Sequence, residues 1–284
     1  MQTTVAIADV TPSQLQRYAA LVYEKIGVTI PAQKTTLLSN RLRRRLRATG
    51  IKSYDEYYAK LVSSSVTDPE WQAFLQEITT HETYLFRDEV HWKWFSDDFL
   101  RNVRDEGAHG TRPKTLRIWS AACSTGDEAA TIACCIAEVI PEAKEWRIEI
   151  VGTDIGAGSV AQAKAATFNE RSMRNVSPAR RTRFFTHTPD GRYQLKPELQ
   201  RWQQFRVHNL LKPLGDRTFD VVFLKNVLIY FDKPSKRRVI EAMRGSMRPG
   251  TYLVTGAAEG VADLLGEFES LQAWLHVYGR TRRR

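Results

Sequence analysis

The sequence predicts an α/β protein in which a small all-helical unit precedes a parallel β-sheet with covering helices. The first eighty residues contain helix-starting signals and no strand signal, whereas from about residue 112 short β-rich runs alternate with helical segments. A third observation adds an insertion to this fold. Turn residues at 186–191 (THTPDG) separate two short β-rich runs, which predicts a β-hairpin.

Capping signals delimit the helical unit. The segment 11–14 (TPSQ) has the residues of a capping box with Pro at the first helical position, and Gly27 ends that helix. A second helix is predicted from about residue 33 to 50, because leucines recur every four residues and arginines occupy its other faces. Two further capping boxes, beginning at Ser53 and Thr67, predict two short helices.

The predicted sheet follows from five β-rich runs: Leu116–Ala121, Ile148–Thr153, Asp220–Val227, Thr251–Thr255 and Trp274–Tyr278. The hairpin lies between the second and third of them, at about residues 184–206. We therefore expect two domains, an N-terminal helical domain over residues 1–80 and an α/β domain over residues 81–284 that carries the hairpin as a subdomain.

Composition excludes several classes of protein. The 284 residues are 42% hydrophobic, yet no apolar run approaches the about 18 residues that a membrane helix needs. The start MQTTVAIADVT lacks the positively charged region of a signal peptide, so we expect a cytoplasmic protein without membrane insertion. Three cysteines without a C-x-x-C pair indicate neither a disulfide framework nor a zinc site, and no metal is expected.

The segment 121–128 (AACSTGDE) follows the first predicted strand and begins a helix, which is where open α/β sheets bind ligands. It lacks both G-x-G-x-x-G and G-K-[ST], so a phosphate is not the expected ligand. Acidic residues here and Asp154 at the next strand end suit a cationic cofactor with ribose hydroxyls and no phosphate, namely S-adenosylmethionine. The alternatives are that Asp127 and Glu128 only stabilise a helix N-terminus and that Asp154 is a solvent-facing turn residue.

Five motifs in series closely resemble those of the CheR-type chemoreceptor glutamate methyltransferases: ITTHETYLFRD (78–88), RIWSAACSTGDE (117–128), IVGTDI (150–155), NLL (209–211) and FDVVFLKNVLIYFDKP (219–234). The resemblance covers nearly the whole chain. It implies a small helical domain before a Rossmann-like class I S-adenosylmethionine-dependent methyltransferase domain with a β-subdomain. It also implies transfer of a methyl group from S-adenosylmethionine to receptor glutamates, with S-adenosylhomocysteine as the product.

The resemblance also implies the site residues. The cofactor contacts carried over by motif are His81, Thr83, Arg87, Glu128, Asp154, Asn209, Leu210, Lys225 and Asn226. Arg87 and Tyr230 would line the methyl-transfer site. A glutamate is already ionised at neutral pH, so no general base is expected, and positioning groups become the catalytic residues. The family usually has other residues at His81, Lys225, Ala129-Ala130 and Ala257-Ala258.

The expected partner is the cytoplasmic helical domain of a chemoreceptor, because the Arg-rich second helix would complement a Glu-rich helix through Arg41, Arg44 and Arg45. In the family that the chain resembles, a longer hairpin loop goes with docking to a tethering receptor peptide, so the shorter stretch 185–199 implies a tail-independent enzyme. The family departures leave a cofactor-binding module with lost turnover as an alternative. A nucleic-acid methyltransferase is a weaker alternative, because no N-P-P-[YF] motif accompanies the net charge of +10.

Overall fold

The computed structural model describes residues 9–31, 35–79 and 82–279. Its N-terminal unit consists of four helices: α1 (Pro12–Ile26), α2 (Thr35–Thr49), α3 (Tyr54–Ser63) and α4 (Pro69–Ile78). They enclose a separate apolar core that includes Leu42, Tyr57 and Trp71, all fully buried. The expected helical unit is therefore observed with its own core.

The predicted capping box is complete for α1, only half formed for α3 and not formed at the start of α4. Thr11 and Gln14 form the reciprocal capping box of α1, and the Ser53 hydroxyl accepts a hydrogen bond from the Glu56 amide at 3.1 Å. The box predicted at Thr67 is wrong, since α4 begins at Pro69 with Asp68 as its N-cap residue. The reason lies in tertiary packing: the Glu70 carboxylate that would complete the box is bound instead by side chains of α2 and α3.

The α/β domain is built on a seven-stranded sheet with the strand order β6-β2-β1-β7-β8-β10-β9. Its strands are β1 (Thr115–Ala121), β2 (Arg147–Asp154), β6 (Gln203–Val207), β7 (Val221–Leu224), β8 (Tyr252–Thr255), β9 (Phe268–Gln272) and β10 (Leu275–Tyr278). Neighbours from β6 to β8 pair in parallel, and β10 pairs antiparallel with β8 and β9. The five parallel strands, β6-β2-β1-β7-β8, follow the strand order of doubly wound nucleotide-binding sheets.

Helices cover both faces of this sheet: α5 (Glu89–Trp94), a π-helical turn (Phe95–Leu100), α6 (Arg101–Ala108), α7 (Asp127–Val139), α8 (Ala157–Ala165), α9 (Pro178–Phe184), α10 (Pro197–Gln200) and α11 (Lys233–Met243). Successive side chains of a strand point to opposite faces of the sheet and pack into two different apolar cores. Ile118 and Phe223 lie in one core, and Trp119 and Val222 lie in the other. In the described ranges no helix has both the length and the apolar character that a membrane span requires.

The insertion is a three-stranded antiparallel sheet formed by β3 (Thr167–Phe168), β4 (Phe185–His187) and β5 (Tyr193–Leu195). The hairpin between β4 and β5 is observed as expected. The predicted range of about 184–206 differs from it at both ends. It omits β3, and its last residues belong to β6, which pairs with β2 in the large sheet.

Candidate functional site

One cavity opens at the carboxyl ends of β1, β2 and β7, which are neighbours in the sheet. Its lining includes every described member of the predicted cofactor set: Thr83, Arg87, Glu128, Asp154, Asn209, Leu210, Lys225 and Asn226. Tyr230 and Arg41 line the same cavity. His81 lies outside the described residues. Residues from six separate parts of the sequence therefore line one cavity. This is expected because the carboxyl ends of parallel strands lie at the same edge of the sheet.

Backbone strain is concentrated around this cavity. Ala122 and Ser124 in the loop after β1 have φ of 60° and 49°, and Asn226 after β7 has φ of 59°, all in the left-handed region that non-glycine residues rarely adopt. Such conformations persist where the surrounding structure holds them, and they are common at ligand sites. Here they turn the chain sharply at the strand ends, so that main-chain groups and side chains face the cavity.

Asp154 is held at the end of β2 by two main-chain donors. Its Oδ2 accepts a hydrogen bond from the Ser124 amide at 2.9 Å, and its Oδ1 accepts one from the Gly156 amide at 2.9 Å. The residue is 8% exposed, so it is not the solvent-facing turn residue that the alternative interpretation required. A carboxylate fixed at the end of a strand in this way is where doubly wound nucleotide-binding folds bind ribose hydroxyls.

Glu128 and Lys225 form the charged floor of the cavity. The Glu128 Oε1 accepts a hydrogen bond from the Ser120 hydroxyl at 2.7 Å, and its Oε2 lies 3.8 Å from the Lys225 Nζ. Burial raises the pKa of Glu128, while Lys225 and Ser120 oppose that rise. Glu128 therefore does more than stabilise the N-terminus of α7, because its side chain reaches into the cavity beneath a buried ammonium group.

The Lys225 ammonium group has three further contacts that tie β7 to the segment before α5. It lies 3.2 Å from the Asp88 Oδ2, donates a hydrogen bond to the Arg87 carbonyl at 3.2 Å, and sits 4.9 Å from the centroid of the Trp92 ring. Two carboxylates thus face one buried cation, which leaves the floor with a net negative charge suited to a cationic ligand. Sequence reasoning missed Asp88 and Trp92, because no local pattern pairs them with a lysine that is distant in sequence.

Arg87 projects into the cavity without a carboxylate partner. Its Nη1 donates a hydrogen bond to the Glu82 carbonyl at 3.0 Å, and its guanidinium lies 5.7 Å from the centroid of the Tyr84 ring. Among the described residues no acidic side chain forms an ion pair with it, and the neighbouring Asp88 is bound to Lys225 instead. A half-buried guanidinium in this condition can bind an incoming carboxylate through charge-assisted hydrogen bonds.

Glu259 is a further residue whose role sequence reasoning missed. It is 1% exposed, and its Oε1 accepts a hydrogen bond from the Val227 amide at 3.2 Å. Burial raises the pKa of Glu259, and main-chain amides from Asn226 to Ile229 oppose the rise. The Glu259 carboxylate therefore stabilises the loop after β7 through main-chain hydrogen bonds.

The three arginines predicted to recognise the substrate have different surroundings. Arg41 lines the cavity and donates a hydrogen bond to the Ile78 carbonyl at 2.5 Å, and burial lowers its pKa with a further contribution from Arg44. Arg44 forms an ion pair with Glu77 at 2.8 Å and keeps a side chain that is 59% exposed. Arg45 does not fit the expected role, because both its Nε and Nη2 bind Glu70 and its side chain is only 16% exposed.

Comparison with known proteins gives the family of this arrangement. Residues 81–276 match the family described as "CheR methyltransferase, SAM binding domain", and residues 13–79 match the one described as "CheR methyltransferase, all-alpha domain". The chain belongs to the CheR methyltransferase family. It is accordingly an S-adenosylmethionine-dependent methyltransferase with the class I fold, and the expectation of this cofactor is confirmed.

Relatives of this CheR family member match it along most of their length. A chemotaxis protein methyltransferase of Klebsiella aerogenes is 30% identical over 261 residues, which cover 90% of this chain and 86% of that protein. Chemotaxis protein methyltransferase 1 of Pseudomonas aeruginosa is 30% identical over 266 residues, covering 92% and 94%. The glycopeptide N-methyltransferase MtfA, solved with S-adenosylmethionine, aligns with a TM-score of 0.32 at 14% identity over 62% and 64% of the two chains, and no conclusion is based on it.

Proposed function

We propose that this chain transfers the methyl group of S-adenosylmethionine to the side-chain carboxylate of glutamates in a chemoreceptor, forming glutamyl methyl esters. The relatives named chemotaxis protein methyltransferases support this assignment. The observation that carries it is the Arg87 guanidinium, which lines the cofactor cavity and has no ion pair with a described carboxylate. A methyl acceptor that is itself a carboxylate fits such a group.

The residues present fit the cofactor. Asp154 would accept hydrogen bonds from the ribose hydroxyls, because main-chain amides fix its carboxylate at a strand end that lines the cavity. Glu128 would face the positively charged end of the molecule across the acidic floor. The remaining cofactor contacts would come from His81, Thr83, Asn209, Leu210, Lys225 and Asn226.

Methyl transfer to a glutamate requires positioning more than acid–base chemistry. When bound, S-adenosylmethionine supplies a sulfonium methyl group, whose carbon–sulfur bond breaks with both electrons going to sulfur as the new carbon–oxygen bond forms. The acceptor carboxylate is ionised near neutral pH, so no side chain has to remove a proton. Arg87 would hold the acceptor oxygen in line with the methyl group, and Tyr230 would line the transfer site and help to exclude water.

The domain and partner assignments complete the proposal. Residues 1–80 would recognise the cytoplasmic helical domain of the receptor, and residues 81–284 would perform the methyl transfer in the cytoplasm. Arg41 at the cavity and the exposed Arg44 are two cations on α2 that an acidic receptor helix can reach. The β4–β5 connection spans only residues 188–192, which supports recognition of receptors without a tethering peptide. The proposed partner is a protein and not a nucleic acid.

Transfer of a tritiated methyl group to chemoreceptor membranes tests the proposal. Wild-type protein should give label that is released as methanol by mild alkali, because methyl esters are base-labile. Arg87→Ala should lower turnover by about 100-fold, the order expected when a positioning group is lost. Arg101→Ala is the matched control, since Arg101 is 59% exposed and bound only to Asp97 in the described structure.

Two outcomes would contradict this assignment. If Arg87→Ala methylates receptors at the wild-type rate, Arg87 does not orient the acceptor. If the wild-type protein binds S-adenosylmethionine but no tested receptor acquires alkali-labile label, the cofactor-binding module with lost turnover becomes the correct interpretation.

A further inference from the structure

The end of α1 and the residues after it lie against two loops of the α/β domain that carry site residues. One loop, after β6, holds Asn209 and Leu210, and the other, after β7, holds Tyr230. We call residues 23–29 the interdomain clamp. Its residues Val28 and Thr29 also line the cofactor cavity, so the helical unit forms part of the cavity wall.

Hydrogen bonds to main-chain groups of the interdomain clamp connect it to both loops. The Asn209 Nδ2 donates to the Lys25 carbonyl at 2.9 Å, and the Thr29 amide donates to the Tyr230 carbonyl at 2.9 Å. Val28 and Phe231 form an antiparallel β-bridge beside the second of these bonds. Because the partners on the clamp are main-chain groups, the position of the clamp backbone sets the position of both site residues.

Gly27 makes this close approach possible. Its φ is +73°, and a Cβ at this position would lie 3.1 Å and 3.2 Å from the two methyl groups of Leu211 and 3.2 Å from the Phe231 ring. Leu211 follows the Asn209-Leu210 pair directly, and Phe231 follows Tyr230. A side chain at residue 27 would therefore displace the neighbours of the site residues on both loops.

A polar contact outside the cavity extends the same connection. The Tyr23 hydroxyl donates a hydrogen bond to the Asp232 Oδ2 at 3.0 Å, and the Asp232 Oδ1 accepts the Ser235 amide at the start of α11. The clamp thus holds the loop after β7 at three consecutive residues, from Tyr230 to Asp232.

We propose that the interdomain clamp positions Asn209 and Tyr230, so that the helical unit is a working part of the cofactor site and not only a surface for the receptor. The inference deepens the proposed function, on which the role of Tyr230 rests. A clamp residue does not touch the reacting atoms; it acts through the loops. Displacement of the clamp should therefore weaken binding of S-adenosylhomocysteine and lower turnover together.

Two glycines of the helical unit provide a matched test. Gly27 and Gly50 both have φ of +73° and both follow a helix, but Gly50 has nothing within 4 Å of an added Cβ. Gly27→Ala and Gly50→Ala therefore share the backbone strain of an alanine in the left-handed region, and only Gly27→Ala presses on Leu211 and Phe231. The measurements are calorimetric titration with S-adenosylhomocysteine and the melting temperature of each variant.

We expect Gly27→Ala to raise the Kd for S-adenosylhomocysteine by about 2- to 30-fold and to lower kcat, the range typical of residues that act through a packed network. Gly50→Ala should keep the wild-type Kd. An equal change in the two variants, or none in either, overturns the proposal. If Gly27→Ala does not fold, Tyr23→Phe decides, and a wild-type Kd there overturns it. The titration needs no receptor, so failure of receptor methylation would refute the proposed function separately.

Discussion

Replacing Lys225 with methionine removes the only cation that the described structure places against both Glu128 and Asp88. The lysine side chain is 2% exposed and the Glu128 side chain is 15% exposed, so solvent screens their interaction weakly. Methionine is unbranched and of similar length, which keeps the packing on Trp92. The substitution therefore changes charge far more than shape.

The size and sign of the effect follow from the geometry. Opposite unit charges about 4 Å apart interact by about 4 kcal/mol at an effective dielectric constant of about 20, and the Lys225 Nζ lies 3.8 Å from the Glu128 Oε2. Burial and Asp88 already raise the pKa of Glu128, with Lys225, Ser120 and Arg87 opposing the rise. Without Lys225 the pKa rises further, so the carboxylate becomes neutral at a higher pH as the solution is acidified.

Affinity for S-adenosylmethionine measured by calorimetry over a pH series that extends to both sides of neutrality reports this change. As the pH is lowered, Lys225→Met should lose affinity for the cofactor at a higher pH than the wild-type protein does. On the alkaline side, where Glu128 is charged, the variant should retain its affinity. Lys225→Arg keeps the charge and should follow the wild-type curve. Superimposable curves for wild type and Lys225→Met would refute the electrostatic account of the floor.

Two further predictions concern the cofactor contact and the arginine helix. Asp154→Ala should weaken S-adenosylhomocysteine binding by about 10- to 150-fold in calorimetry, the equivalent of one charge-assisted hydrogen bond, and an unchanged Kd would remove Asp154 from the site. Arg45→Met should lower the free energy of unfolding by about 3 kcal/mol in a denaturant titration without changing the KM for receptor, because the mostly buried Glu70 carboxylate loses its cationic partner and keeps the Tyr57 hydroxyl as a donor. Arg44→Met should do the reverse, raising the KM for receptor at low salt while costing about 0.5 kcal/mol or less in stability.

The strands of the large sheet that the sequence predicts are those with two mostly buried faces. The central strand β7 (VVFL) is a continuous apolar run, and β1 and β2 are buried along most of their length, as expected of strands that helices cover on both sides. The two strands of the large sheet that were not predicted, β6 and β9, are its two edges. Each has mostly exposed or half-exposed side chains, so its sequence (QQFRV and FESLQ) lacks the apolar pattern on which strand prediction depends.

The predicted strand Asp220–Val227 is observed only over Val221–Leu224, and the difference marks the site. Asn226 adopts φ of 59°, so the chain leaves the sheet and turns Lys225 and Asn226 toward the cavity. Local propensity favours strand through Val227, whereas the buried Glu259 carboxylate, which is distant in sequence, holds the turn. Arg45 gives a similar lesson, because helical periodicity cannot distinguish an arginine bound to Glu70 from one that faces solvent.

The positions at which this chain departs from its family bear on whether catalysis is retained. Ala129 and Ala130 are fully buried in the first turn of α7 and do not line the cavity, so their difference from the family concerns packing. Ala257 and Ala258 are exposed and also lie outside the lining. Lys225 is the one described departure inside the cavity, and it places a positive charge between Glu128 and Asp88. Since the charge at the floor is kept and Arg87 remains open to a carboxylate, this distribution favours an active methyltransferase over a cofactor-binding module.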